Sequence, residues 1–388
     1  MQAIISDIIY TGSGILKNYA IIIDNNGLIH SILPQKNIIP EIYKKIFHEY
    51  ILAPGFIDLQ VNGSAGMMFS DKPDLETIER MASVQQSHGV TGILPTVISG
   101  PTENMKLAVE AIDKAIGNIP GILGIHYEGP FLNPNKAGIH DVKWIRNNDK
   151  SIVPFIYPSR HGRTLVTLAP ECVSSSDIKE LKSSGIIISA GHTSAGPDII
   201  DEASRNGLTG ITHLFNAMDQ LGSRQPGTVG AALTNDNLWC GLIGDGFHVD
   251  TRSISLALKA KPNGKLFLVS DAMAPVGLAS MKSFQTCGKK IHVKDNRCLT
   301  DKGGLAGSLS TLDKALLFCI KELGIPIDEA LRMVSTYPAR AINEGERRGM
   351  IEPDYIADLV SLNRELKPTK TWINGRLINK SPSQSSSE

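Results

Sequence analysis

Cysteine is scarce and poorly placed for pairing. The 388 residues hold five, Cys172, Cys240, Cys287, Cys298 and Cys319, scattered, odd in number and never in a C-x-x-C arrangement. That excludes a disulfide framework and a cysteine-based zinc knuckle, and reads as free thiols in a reducing compartment. A surplus of either charge is missing too. The 39 basic and 39 acidic residues cancel, which argues against nucleic acid and anionic membrane surfaces as partners. No stretch reaches the ~18 consecutive apolar residues of a membrane span. The opening MQAIISDIIYTGSG has no basic region, pure apolar run or small-residue cleavage site, so no secretory signal is expected and a cytoplasmic location is. Aromatics stand at only 5%. What is plentiful is glycine, 36 residues, which suits a fold with many tight strand-to-helix turns. With 41% hydrophobic residues, the chain as a whole is not disordered.

At roughly 150 residues per domain the length suggests two or three domains, although an α/β barrel absorbs about 250 residues as one. The first 52 residues are rich in β-formers, at Ala3–Tyr10, Tyr19–Asp24 and Leu28–Leu33, with the hairpin signal Asn25-Asn26-Gly27 between the last two. No convincing helix precedes Asp74. After Ala53-Pro54 strands alternate with helices. The expected strands are Gly55–Gln60, Gly92–Val97, Ile122–Glu128, Leu165–Leu168, Ile186–His192, Gly210–His213, Trp239–Gly244 and Leu266–Asp271. Leu75, Ile78 and Met81–Ala82 fit a helical period, as do Met105, Ala108–Val109, Ile112 and Ala115–Ile116. Gly89, Gly185 and Gly207 are placed as helix stops. The pattern predicts a parallel (β/α)8 TIM-like barrel over 53–352. Helices over 309–323 and 328–335 follow. Strand character returns at 358–362 and 370–373, beside Asn374-Gly375. Strand-rich ends on both sides of a barrel predict one small β-sandwich domain built from 1–52 plus 353–380. Residues 381–388, SPSQSSSE, are read as a disordered tail.

In a parallel barrel, polar residues at the C-terminal strand ends form the mouth of the site. Stability does not require His or carboxylate there, yet most expected strand ends carry one. Glu128, His192 and His213 make a two-His, one-carboxylate set of the kind that holds a divalent metal and leaves a position for water. Zinc, iron(II) and other divalent ions accept such donors. Asp271, at the end of the apolar run Leu266–Val269, is placed to act as general base. Gln60 and Asn62 share one strand face in the geometry of a metal-binding H-x-H pair, but carboxamides are poor ligands for such ions. One tight metal is therefore expected, with any second site at Gln60 and Asn62 weak or absent. His126 is read as a structural barrel histidine. Asn216-Ala217 and Arg224, in a glycine-rich stretch, suggest an anion cradle for a phosphate. His140 and His248 are placed to contact a substrate. The Gly303–Ser308 loop lacks a P-loop Lys and is not read as nucleotide binding.

These residues resemble the amidohydrolase superfamily and, more closely, its N-acetylglucosamine-6-phosphate deacetylase family. The matching strings include Ala53-Pro54-Gly55-Phe56-Ile57-Asp58, Glu128-Gly129-Pro130-Phe131-Leu132, Leu168-Ala169-Pro170-Glu171, Ala190-Gly191-His192, His213-Leu214-Phe215-Asn216-Ala217-Met218 and Ser270-Asp271-Ala272, in order over about residues 50 to 362. The resemblance implies one divalent metal per subunit on Glu128, His192 and His213, zinc being the first expectation and Fe, Co or Mn the others. It implies Asp271 as catalytic base and a small phosphosugar as substrate. Asn216, Ala217 and Arg224 would meet the phosphate, Ile139, His140 and His248 the sugar or its acetamide, and Gly307, Ser308 and Leu309 the acetyl group. It implies a homodimer in which Arg224 reaches the neighbouring active site. Gln225 and Tyr127 depart from the family pattern without touching these roles. Two other readings stand beside it: the galacto epimer as substrate, and a ring-opening cyclic-amide amidohydrolase, whose H-x-H pair and bridging Lys are missing here. A non-catalytic barrel is a third.

Overall fold

A computed structural model describes residues 1–147 and 151–378 of the chain. The expected tail at 381–388 lies outside the described residues.

Four strands open the chain: β1 Gln2–Tyr10, β2 Ile15–Ile23, β3 Ile29–Pro34 and β4 Ile46–Pro54. The fourth was not foreseen. The barrel begins with β5 Phe56–Val61, and the two-residue strands β6 Gly63–Ser64 and β7 Met67–Met68 follow. Then come α1 Leu75–Ser87, β8 Val90–Ile98, α2 Thr102–Ala115, β9 Gly124–Glu128, β10 Arg163–Leu168, α3 Ser175–Ser183 and β11 Ile187–Ala190. The alternation continues through α4 Pro197–Asn206, β12 Leu208–Ile211, α5 Gly227–Thr234, β13 Trp239–Ile243, α6 Thr251–Ala260 and β14 Leu266–Val269. An antiparallel sheet of β15 Ser283–Thr286, β16 Lys289–Lys294 and β17 Arg297–Thr300 intervenes before α7 Leu312–Leu323, α8 Ile327–Val334 and α9 Thr336–Ala341. The strands β18 Leu359–Leu362, β19 Pro368–Ile373 and β20 Arg376–Ile378 complete the described chain.

Helices α1 and α2 form where the pattern places them, each burying one stripe. Asp74 caps α1 by accepting from the Thr77 N–H, and Ile78, Met81 and Ala82 are buried. Leu75 departs from expectation and is 43% exposed. Side chains tilt toward a helix's N-terminus, so one on the first residue leans past the end of the packed face.

Eight parallel strands run in the order β5-β8-β9-β10-β11-β12-β13-β14. The ring closes at the mouth: the Asp271 N–H donates to the Gln60 carbonyl at 3.0 Å and the Asn62 N–H to the Ala272 carbonyl at 2.9 Å. Beneath the mouth the interior carries a polar belt. His126 Nε2 lies 2.7 Å from Thr167 Oγ1, which lies 2.6 Å from Thr212 Oγ1, itself 2.7 Å from Ser189 Oγ. Burial pushes the His126 pKa down to about 4, so the ring is a neutral structural member of this belt, as expected.

The two chain ends share one seven-stranded sheet, ordered β20-β19-β18-β4-β1-β2-β3. It curls until the start of β3 meets the segment that leads into β18. The Ala357 N–H donates to the Gly27 carbonyl at 2.9 Å and the Ile29 N–H to the Tyr355 carbonyl at 2.8 Å. A Cβ on Gly27, at φ +85°, would sit 2.1 Å from the Asn374 carbonyl oxygen, so this contact of two hairpin turns needs glycine. Ile4, Ile21, Leu52, Leu359 and Trp372 form the enclosed core, which gives the sheet a sandwich-like section.

Candidate active site

The chemistry-bearing side chains sit where strands stop. Glu128 ends β9, while His192, His213 and Asp271 each come two residues after the last residue of β11, β12 and β14. Those three have φ of +50°, +33° and +51°. Non-glycine residues rarely occupy that region, at a cost of roughly 1 kcal/mol or more each. Local hydrogen bonds hold them there. The Asn133 N–H donates to the His192 carbonyl at 2.9 Å, and the Ser308 N–H to the Asp271 carbonyl at 2.9 Å. Glu171 braces the segment after His192, accepting from Thr193 Oγ1 at 2.5 Å, the Ser194 N–H at 2.6 Å and Asn133 Nδ2 at 2.9 Å. After these left-handed turns the three side chains line one cleft.

Three donor atoms converge. Glu128 Oε1 lies 3.1 Å from His192 Nε2 and 2.9 Å from His213 Nε2, and the two nitrogens are 3.1 Å apart. Ligands about 2.0–2.1 Å from a tetrahedral ion would stand ~3.3 Å from each other, so the triangle has the size of a metal site. His192 Nδ1 is 2.8 Å from the Lys136 carbonyl, to which it must donate, leaving Nε2 as a lone-pair donor toward the triangle. Burial alone would raise the Glu128 pKa, but the two histidines hold it well below the usual range. Burial opposes charge on His213, yet contact with Glu128 raises its pKa.

Glu128, His140 and His192 also offer one ligand atom each within 4.8 Å of one another. Tautomers separate the two sets. The Ser99 N–H donates to His140 Nδ1 at 3.2 Å, so a neutral His140 carries its proton on Nε2 and has no lone pair there to ligate. Burial first, and then the nearby His192, push the His140 pKa down to about 3, which keeps the ring neutral. His140 is therefore a hydrogen-bond donor, and its Nε2 is buried without a partner among the described residues. The two-His, one-carboxylate set of Glu128, His192 and His213 fits a divalent metal.

Asp271 stands beside this set. Its Oδ1 accepts from Asn62 Nδ2 at 2.6 Å. Burial, and next the charge of Glu128, raise its pKa to about 7, where a carboxylate can both take and return a proton near neutral pH. Gln60 Nε2 donates to Glu128 Oε1 at 3.0 Å. The amide nitrogens of the possible second-metal pair thus orient carboxylates, while Asn62 Oδ1 has no partner among the described residues.

The mouth opens into a cleft of about 330 Å³ lined by Asn62, Glu128, Ile139, His140, His192, His213, Asn216, Ala217, His248, Asp271 and Gly307, among others. His248 is oriented by Asp245, 2.7 Å from its Nδ1. Ser308, Leu309 and Arg224 do not line this cleft, Arg224 being the one expected to serve a neighbouring subunit. Ser308 donates its hydroxyl to the Ser270 carbonyl at 2.6 Å and so braces the Asp271 turn. Leu309 packs with Met68, Met273 and Phe284. Arg224 is exposed and does not line the cleft of its own chain. Asn135, Lys136, Met273 and Leu305 also line it and were missed. They lie on loops without periodicity, and only the polar string between Asn133 and His140 could have drawn attention to the first two. A larger cleft of about 1510 Å³ lies between the terminal sheet and the start of β9 and β10. It holds none of these residues and sits at the wrong end of the strands for barrel chemistry.

Residues 51–378 match the model of the amidohydrolase family, and residues 1–45 that of the NagA composite domain. The N-acetylgalactosamine-6-phosphate deacetylase of Shewanella sp. (strain ANA-3) is 39% identical over 84% of this chain and 83% of its own. The N-acetylglucosamine-6-phosphate deacetylase of Haemophilus influenzae is 34% identical over 96% of this chain and 98% of its own. Among solved structures, the N-acetylglucosamine-6-phosphate deacetylase of Pasteurella multocida superposes with a TM-score of 0.92 at 35% identity, covering 97% of this chain and 99% of that one.

Proposed function

Because the chain belongs to the amidohydrolase family, we propose that it hydrolyses the acetamide of N-acetyl-D-glucosamine 6-phosphate, giving D-glucosamine 6-phosphate and acetate. The observation that carries this is the meeting of the Glu128–His192–His213 triangle with a buried Asp271 in one cleft, in a chain whose relatives carry that name.

Glu128, His192 and His213 would hold one divalent metal per subunit, with zinc first among the candidates. Bound there, such an ion polarises the amide carbonyl and lowers the pKa of water. Asp271 takes the proton of the attacking water and returns it to the departing sugar nitrogen, so the C–N bond breaks with a neutral amine leaving. Asn62 aims the carboxylate through its 2.6 Å contact. His140 Nε2–H is a preorganised donor for the acetamide or a sugar hydroxyl, and His248 faces the same cleft. Backbone groups at Asn216 and Ala217 receive the phosphate. An Arg224 that is exposed in its own chain suits a homodimer in which it reaches the neighbouring site. Five unpaired cysteines suit a cytoplasmic enzyme.

A second reading, the galacto epimer as substrate, is favoured by the 39% identity to the Shewanella enzyme. Acetate release from both epimers, and from unphosphorylated N-acetylglucosamine, is the test. The expected order is the gluco phosphate first and the unphosphorylated sugar last. A preference for the galacto phosphate would replace the first reading with the second, and no release from either phosphate would reject both.

A further inference from the structure

A phosphosugar brings two negative charges to a cleft that already holds Glu128 and Asp271. Among the described residues lining that cleft, Lys136 is the one Lys or Arg. Its main chain and side chain have separate duties. The carbonyl accepts a hydrogen bond from His192 Nδ1 at 2.8 Å. The ammonium pairs with Asp219 Oδ1 at 2.7 Å. Asp219 lies just beyond Asn216 and Ala217 on the loop that follows His213, and both of those residues line the cleft. The side chains of Lys136 and Asp219 remain 27% and 43% exposed, so their mutual attraction is screened and weak. A phosphate dianion, with more charge and three acceptor oxygens, is the stronger partner for an ammonium.

We propose that Lys136 is a phosphate-binding residue contributed by the same chain, and that Asp219 parks it until the phosphate displaces the carboxylate. This deepens the reading above and rests on it. Lys136 then sets the preference for phosphorylated over unphosphorylated sugar, whether or not a partner's arginine is present. Lys136→Met keeps the carbonyl that orients His192, so metal content should be unchanged by elemental analysis. Its kcat/KM on N-acetylglucosamine 6-phosphate should fall about 10- to 100-fold, the size of one lost charge-assisted hydrogen bond, mostly through KM. The ratio of phosphorylated to unphosphorylated kcat/KM should shrink by the same factor. Calorimetric binding of glucosamine 6-phosphate to the metal-free protein should weaken alongside. Asp219→Asn should lower KM for the phosphosugar, by about 2- to 5-fold if the released ion pair is an ordinary exposed one. A Lys136→Met ratio within twofold of wild type overturns the proposal while leaving the deacetylase reading intact. Equal loss on both sugars with loss of metal overturns it as well, since Lys136 would then act through His192. Wild-type protein that releases no acetate from the phosphosugar removes the reading itself.

Discussion

Asp58 lies on β5 with its side chain wholly buried, two residues before Gln60. Its Oδ1 accepts from the Gln60 and Ser270 N–H groups, each at 3.2 Å, which stitches the seam between β5 and β14. Its Oδ2 has no partner among the described residues. Burial raises the pKa from 3.8 to about 6, against the lowering effect of those bonds. A folded pKa above the unfolded one means that the native state binds more protons between the two values. Stability therefore falls as pH rises from about 4 to 6, and the penalty is complete above that window. A shift of roughly two units at 1.36 kcal/mol each amounts to about 3 kcal/mol. Asp58→Asn removes the charge and keeps an oxygen for both N–H groups. Its new amide hydrogens need partners, which offsets about 1 kcal/mol of the gain. The variant should be more stable than wild type by about 2 kcal/mol at pH 7.5, and the advantage should vanish or reverse near pH 4. Urea unfolding followed by fluorescence at both pH values, on metal-free protein, measures the difference. A stability difference that stays constant across that range would show that Asp58 does not carry a buried charge, and the account of the seam would fail with it.

Other outcomes follow from the same geometry. Asp271→Asn should retain metal and lose turnover by orders of magnitude; near wild-type rates would reject the base assignment. Elemental analysis should find about one equivalent of transition metal per chain, because the pair at Gln60 and Asn62 is made of carboxamides, poor ligands for such ions, whose nitrogens face Glu128 and Asp271; two tightly held equivalents would contradict that. Glu171→Ala removes three contacts around Asn133, Thr193 and Ser194 and should weaken metal affinity by about 10- to 100-fold in chelator competition. Glu171→Gln, which can keep the shape of the contacts, should recover most of that loss, and equal affinities in all three proteins would rule out the brace.

The barrel was legible because its signals are redundant. The strands β11, β13 and β14 are mostly apolar runs, and Gly89, Gly185 and Gly207 do stop helices with φ of +82°, +79° and +136°. Glu128, His192, His213 and Asp271 were legible because nothing in packing asks for them at strand ends. The β15–β17 sheet was not, since only Phe284, Thr286, Ile291 and Cys298 of its strands are buried, too few to print a period. Its turns did leave a trace: Cys287-Gly288 and Asp295-Asn296 all have positive φ, and an Asp-Asn pair is hairpin chemistry. The duties of Gln60, Asn62 and Ser308 were illegible for another reason. A carboxamide or hydroxyl has the same letter whether it binds a metal, a substrate or a neighbouring carboxylate, and only the folded seam decides.

The curled terminal sheet also sets a timetable for biosynthesis. β4 pairs with β18 through contacts such as Leu52 with Ser361, about 300 residues further along. At roughly 5–20 residues per second, translation leaves the β4 edge without its neighbour for some 15–60 s. During that interval Ile51 and Leu52 belong to an open strand edge on a nascent chain, the kind of surface that recruits other copies. The barrel can close before the sheet does, so crowded polysomes and slow C-terminal codons would be felt first in yield, as insoluble protein, and not in the rate of the enzyme that escapes.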